Sequence, residues 1–219
     1  LECMRYDLIQ CESGRYSFKH NAFREWLVAN YLNREGINKA KELATHPNGR
    51  LKPEWYNIIM LWVSMYGKDK KEEVDALLSW LKESSLELIV YIDVKSIDEK
   101  TRNEVFRGIL LEYKSLGIRM SNIMTQDYKN LLKFGQTEDT VDFIADELQT
   151  AKPQTAYYAD LMSLCYFLDW KLLSLKNKEL TEKLFQVLER KAEDALEQDA
   201  SNDLSFLYFD NEFFTQKEY

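Results

Sequence analysis

Few residues of this chain have the chemistry to bind a metal ion or to act as nucleophiles. There are two histidines, His20 and His46, and three cysteines, Cys3, Cys11 and Cys165. A structural zinc site takes four Cys or His ligands, and no Cys-x-x-Cys pair occurs. We therefore predict no metal site. The odd number of cysteines favours free thiols in a reducing compartment.

Phosphate-binding and hydrolytic motifs are also missing from the sequence. The seven glycines lie far apart, and the Gly67-Lys68 pair has no glycine upstream that would complete a phosphate-binding loop. Neither histidine lies near a Gly-x-Ser-x-Gly segment. Carboxylates are numerous, but at 30% charged residues we expect most of them on solvated helix faces. The sequence predicts no catalytic residue and no enzyme activity. A weaker alternative is an enzyme whose site forms only with further chain.

The elements that carry these residues are predicted to be helical. Only 3 prolines and 7 glycines occur in 219 residues, whereas all-β domains need many turns. Short alternations around Ser13-Gly14 predict a small hairpin. From Asn21 the spacing becomes helical, with one apolar face and Gly36 as a cap; this face consists of Phe23, Trp26, Leu27 and Tyr31.

Further apolar stripes predict a succession of helices joined by short loops. Pro47 to Gly49 marks a loop, Pro53 suits a first helical residue, Gly117 ends a helix and Thr137 is a predicted N-cap. The predicted helices cover residues 38–45, 54–66, 69–82, 86–92, 98–116, 125–134, 155–170 and 180–198, besides one after Thr137. The segment 54–66 is apolar nearly all round, which predicts a buried central helix.

The predicted fold class is therefore all-α with a small N-terminal β-hairpin, arranged as a helical bundle or as an α-solenoid of helix pairs. The predicted divisions are a hairpin plus helix over 1–35, a helical linker over 36–136 and a repeat-like region over 137–219. No signal peptide or membrane span is predicted, so we expect a cytoplasmic protein. The chain does not begin with Met, and we expect it to be a fragment of a larger protein.

Acidic charge is concentrated in the last third of the chain. Residues 137–219 contain 8 Lys or Arg and 18 Asp or Glu, a net charge of −10. Such a face repels phosphates, so no nucleic-acid partner is predicted. One interpretation is a solvated acidic face. Our hypothesis is that this face is a surface for protein recognition.

Tryptophan gives a second set of candidate contact residues. Trp55 and Trp62 have core spacing and are predicted to be structural. Trp80 and Trp170 lie beside the main apolar stripes, and these two are the candidates for an exposed contact.

The segment from Tyr16 to Leu32 reads Tyr-Ser-Phe-Lys-His-Asn-Ala-Phe-Arg-Glu-Trp-Leu-Val-Ala-Asn-Tyr-Leu. It resembles the motif aromatic-x-Phe-x-His-x-x-Phe-x-Glu-aromatic-Leu-x-Ala-x-Tyr-Leu, which closes the winged helix of NACHT-type STAND ATPases, a class of signalling switches. The matching positions are Phe18, His20, Phe23, Glu25, Trp26, Ala29, Tyr31 and Leu32. The resemblance extends over residues 1–66, and the hairpin looks like the wing.

The resemblance implies that His20 contacts the phosphates of ADP in the intact protein, through a nucleotide site whose Walker loop lies upstream of this chain. The alternative is a histidine that only caps or packs at the helix start. By the same resemblance, ADP or ATP is the cofactor of the intact protein, the upstream NTPase domain is a partner and activation produces an oligomer. Glu25, Phe23 and Trp26 are expected to serve helix packing.

Two functions of different classes follow. The first is a non-catalytic sensor or regulatory fragment of a STAND ATPase, which acts in protein recognition and autoinhibition in defence signalling. The second is a stand-alone helical scaffold that binds a partner without a nucleotide switch.

Overall fold

The protein was analysed as a computed structural model, which describes residues 9–65, 71–120 and 127–197. The chain is mostly helical, with a two-stranded antiparallel hairpin near its N-terminus, as the sequence predicts. It divides into two compact units, Leu1–Asp98 and Glu99–Tyr219. This division does not coincide with the predicted boundaries at 35/36 and 136/137, because helices pack against each other across both of those positions.

The first unit begins with strands β1 (Ile9–Glu12) and β2 (Arg15–Phe18), which pair in register from Ile9↔Phe18 to Glu12↔Arg15. Ser13 and Gly14 connect them with φ values of 53° and 74°, as a two-residue hairpin turn of positive φ requires. Strand β2 contacts the following helix, which supports a hairpin too small to be stable alone.

Four helices complete the described part of this unit: α1 (Asn21–Glu35), α2 (Ile37–Ala44), α3 (Tyr56–Ser64) and α4 (Lys71–Ser84). Gly36 ends α1 with φ of 83°, and its N–H donates to the carbonyl of Leu32. Pro53 begins a 3₁₀ turn before α3, and a second 3₁₀ segment follows α4 at Leu86–Tyr91.

The core of the first unit lies between α1, α3, α4 and the 3₁₀ segment Leu86–Tyr91. Helix α3 places Ile58, Ile59, Trp62 and Val63 in this core, which confirms the predicted central helix as far as Ser64. Tyr66, the predicted last residue of that helix, lies outside the described residues.

The second unit contains α5 (Glu99–Leu116), α6 (Asp127–Gly135), α7 (Glu138–Thr150), α8 (Ala156–Phe167), α9 (Trp170–Lys176) and α10 (Lys178–Glu197). The predicted helix over 155–170 is interrupted, because Leu168 is extended and the Asp169 carboxylate accepts a hydrogen bond from the N–H of Leu172 to begin α9. Thr137 is the N-cap of α7, as predicted, in a capping box with Thr140.

The helices of the second unit pack in two layers. Helix α7 packs between α5 and α10 in one layer, and α6 packs on α8 in the other. Contacts between layers link α5 to α6 and α7 to α8. The rest of the predicted repeat-like region, residues 198–219, lies outside the described residues.

Candidate functional site

His20 lies at the junction between the hairpin and α1. It is the N-cap residue of the helix, with extended backbone angles, and its carbonyl accepts a hydrogen bond from the Phe23 N–H at 3.2 Å. Its imidazole caps no helical N–H and is exposed. The first turn of α1 contains no acidic residue. The imidazole therefore lies at a helix N-terminus, where an anion is favoured and the first helical turn supplies no carboxylate of its own.

The helix that follows His20 exposes the apolar face that the sequence predicted to be a packing face. Its side chains retain large exposed fractions: Phe23 38%, Trp26 51%, Leu27 46% and Tyr31 39%. We call these four residues the α1 aromatic face. The helix packs in its unit through a different side, where Ala29 and Leu32 are fully buried. The expectation that Phe23 and Trp26 serve helix packing is wrong within the described residues.

Glu25 does serve packing, as expected. It is half-buried, and its carboxylate accepts a hydrogen bond from the Asn57 amide of α3 at 3.4 Å. The His20 and Phe23 rings lie 6.1 Å apart, so the structure brings His20 beside the α1 aromatic face.

The two tryptophans selected as exposed contacts have structural roles. Trp80 is only 6% exposed and its ring lies 6.3 Å from that of Trp62, so the prediction for Trp80 is wrong. Trp170 is half-buried, stacks on Phe185 at 4.8 Å and donates from its indole N–H to the carbonyl of Cys165. Each ring contacts an aromatic ring of another helix, which the apolar stripe of a single helix does not reveal.

Acidic residues of α7 form ion pairs with basic residues of the same unit. The Lys183 ammonium of α10 binds the carboxylates of Asp142 and Asp146 at 2.5 and 2.7 Å. Both hydrogen bonds raise the pKa of Lys183, because they stabilise its charged form. These pairs join neighbouring helices of one layer, so much of the predicted acidic surface serves the stack itself.

Ion pairs also join α7 to α5, on the side of α7 opposite to α10. Arg107 of α5 binds Asp139 of α7 at 2.8 Å, and Lys114 binds Glu147 at 2.6 Å. The exposed carboxylates of α10 include Glu179, Glu182 and Glu193, of which Glu182 pairs with Lys178 of the same helix. Among residues 137–197, the acidic recognition hypothesis is thereby narrowed to α10.

A buried carboxylate that the sequence analysis did not select lies in the same unit. Asp160 is fully buried and accepts hydrogen bonds from the Tyr128 hydroxyl at 2.6 Å and from the Met120 N–H at 3.0 Å. Burial raises the pKa of Asp160, against the opposing effects of these bonds and of the Arg119 guanidinium. The sequence feature that could have identified Asp160 is its place as the one charged residue in the mostly apolar run from Tyr157 to Cys165.

The two described cysteines differ in their surroundings. Cys165 is buried, which raises the pKa of its thiol to about 12, whereas Cys11 is exposed on β1. Cys3 lies outside the described residues. Residues 9–65, 71–120 and 127–197 contain no group of three His, Cys, Asp or Glu able to hold a metal ion, and no helix there is long and apolar enough to cross a membrane.

One polar cleft of about 510 Å³ lies in the second unit, between the N-terminal ends of α5 and α7 and helix α9. Its charged side chains are of both signs and include Glu99, Arg102 and Lys176. Arg102 is already bound through its guanidinium to the carbonyl of Phe134 at 3.0 Å. The cleft therefore shows no concentration of one charge that would select a ligand.

No protein-family model, no curated protein and no solved structure matches this chain.

Proposed function

We propose that this chain is a non-catalytic regulatory region of a NACHT-type STAND ATPase, which links the nucleotide switch of the intact protein to a helical recognition region. The observation that carries the proposal is the arrangement at positions 15–35. A hairpin leads into α1, and His20 has an exposed imidazole at the helix N-terminus, beside the ring of Phe23. This position supports the proposal, because an anion is favoured at a helix N-terminus and an imidazole can donate to a phosphate.

In this proposal ADP is held in the intact protein by an upstream NTPase domain, and His20 donates from its imidazole to a phosphate oxygen. The contact stabilises the closed state. A protein ligand that binds the helical region more tightly in the open state shifts the equilibrium and permits oligomerisation. This fragment then contributes autoinhibition and recognition in a cytoplasmic signalling protein, and no chemistry of its own.

The recognition surface in this proposal consists of exposed carboxylates of α10. Glu179 and Glu193 are exposed and Glu182 pairs with Lys178 of the same helix, whereas the carboxylates of α7 bind residues of α5 and α10. Replacing Glu179, Glu182 and Glu193 together by Gln in the intact protein is expected to abolish the response to its trigger. A normal response of this variant would show that these carboxylates of α10 are not the recognition surface.

The first experiment is to purify the intact protein without added nucleotide, to denature it and to identify any released nucleotide by chromatography. The proposal predicts ADP at close to one molecule per chain. A protein without nucleotide would contradict it and would favour the second function, a helical scaffold without a switch. That alternative draws its support from the stacked layer of α5, α7 and α10, a surface of the type that solenoids use for binding.

A further inference from the structure

The α1 aromatic face is a contiguous exposed apolar surface. Phe23, Leu27 and Tyr31 follow one another at four-residue spacing, and Trp26 lies beside them. Adjacent members of such a row lie about one helical turn apart, so the row extends over roughly 12 Å. Exposed patches of this kind mark interaction surfaces, since isolated exposed apolar residues are common but rows of them are not.

Most of the charged side chains around this face are basic. Rotation by about 100° per residue places Arg24 and Arg34 on the same side of α1 as Phe23 and Leu27, and both arginines are exposed. Lys19, also exposed, precedes the helix. Of the two acidic residues of α1, Glu25 binds Asn57 of α3, whereas Glu35 is exposed one turn beyond Tyr31. The face is therefore apolar at its centre and mainly basic at its rim, with one carboxylate at its C-terminal end.

We propose that the α1 aromatic face binds a protein helix whose apolar stripe is flanked by carboxylates. A row of side chains at i, i+4 and i+8 matches the stripe of an amphipathic helix, and Trp, Tyr and Arg are the residues that most often anchor such interfaces. The carboxylates of the partner pair with Arg24 and Arg34 at the rim. This pairing selects the partner, while the aromatic contacts supply most of the affinity.

Two other occupants fit the face less well. A second copy of the same face would bring two cationic rims together, at a cost in repulsion. A membrane surface would meet only four apolar side chains over about two turns, whereas helices that lie in the lipid interface bury a longer apolar stripe. The partner chemistry is therefore assigned from charge complementarity and from the size of the face.

The test uses two synthetic helical peptides of equal length with the same leucine stripe, flanked by Glu in one and by Lys in the other. Binding to the purified chain is measured by fluorescence anisotropy of the labelled peptides. We expect the Glu peptide to bind at least about tenfold more tightly at low salt, with the preference declining as salt is added. The double variant Trp26→Ala/Leu27→Ala is expected to weaken binding at least about tenfold.

The charge assignment is tested separately by Arg24→Glu/Arg34→Glu, which is expected to invert the preference towards the Lys peptide. Leu175→Ala is the matched control, since Leu175 is 78% exposed but belongs to α9; it should bind as the wild type does. Circular dichroism verifies that each variant is folded. Equal binding of the two peptides, or binding unaffected by Trp26→Ala/Leu27→Ala, would overturn the proposal.

Two further measurements distinguish the other occupants. If anionic phosphatidylserine vesicles bind the chain through this face and the Glu peptide does not, the surface is a lipid contact and the proposal is wrong. A concentration-dependent dimer that is abolished by Trp26→Ala/Leu27→Ala would assign the face to a second copy instead. Neither measurement uses nucleotide. A protein without bound ADP would therefore contradict the proposed function but would not contradict the binding of a helix to this face.

Discussion

The ring of Phe106 lies so close to Gly135 that a β-carbon at position 135 would stand 2.6 Å from the ring carbon Cδ2. Phe106 belongs to α5 and is fully buried, and Gly135 is the last residue of α6. The absent side chain therefore allows α6 to approach α5, and it sets the spacing between the two layers of the second unit.

Gly135→Ala is expected to lower the free energy of unfolding by about 1–3 kcal/mol, because the extra methyl group meets a ring that has no free space to enter. Urea denaturation measures the change. The variant Gly135→Ala/Phe106→Leu should recover part of the loss, since leucine vacates the ring edge. Stability equal to the wild type would show that the helices separate without cost.

Asp160→Ala is expected to destabilise the second unit by about 2–4 kcal/mol, because the N–H of Met120 and the hydroxyl of Tyr128 lose their acceptor in a buried position. Tyr128→Phe is the matched control. It removes one donor and leaves the carboxylate bound to Met120, so its cost should be about 1 kcal/mol. If the two variants lose equal stability, the carboxylate contributes little beyond the Tyr128 contact.

Asp160 also predicts a dependence on pH. Because burial raises its pKa in the folded state, the folded chain holds this proton more tightly than the unfolded chain does. The corresponding stabilisation is fully present below the pKa of Asp160 in the unfolded chain, which is about 4. It is lost as pH rises through the higher pKa of Asp160 in the folded chain. Asp160→Asn has no such proton. The wild type should therefore lose stability relative to Asp160→Asn as pH rises from about 4, and a constant difference would contradict the assignment.

Lys183→Gln removes the ammonium that joins Asp142 and Asp146 of α7 to α10. Because the Lys183 side chain is 37% exposed, solvent screening keeps the expected loss of stability below about 1 kcal/mol. The loss should shrink further in high salt. Lys178→Gln, whose ammonium is in a more exposed pair with Glu182, should have a smaller effect. A large, salt-independent loss for Lys183→Gln would indicate a packing role instead.

Local signals in the sequence predicted the helices well. Gly36, Pro53 and Thr137 lie at helix ends because a positive φ, a missing N–H or a capping hydroxyl acts within one turn of the chain. The hairpin turn at Ser13-Gly14 was predictable for the same reason.

The environment of each apolar face was harder to predict. Periodicity shows that α1 has an apolar face, but the side on which it packs is set by α3, which is distant in sequence. The same limit explains the error at Trp80, whose partner Trp62 lies on another helix. The ion pairs of α7 depend on residues more than thirty positions away, so acidity alone could not distinguish a recognition surface from a stack of paired helices.

The measurement that tests the central claim most directly is the ADP content of the intact protein purified as the wild type and as the variants His20→Ala and His46→Ala. His46 is the matched control, since it is exposed in a loop and only its backbone is bound, to Arg50 and Gly49. The account predicts about one ADP per chain in the wild type and in His46→Ala, and a loss of at least about tenfold in ADP affinity for His20→Ala. Equal ADP content in all three proteins, or no ADP in any of them, would contradict the assigned role of His20.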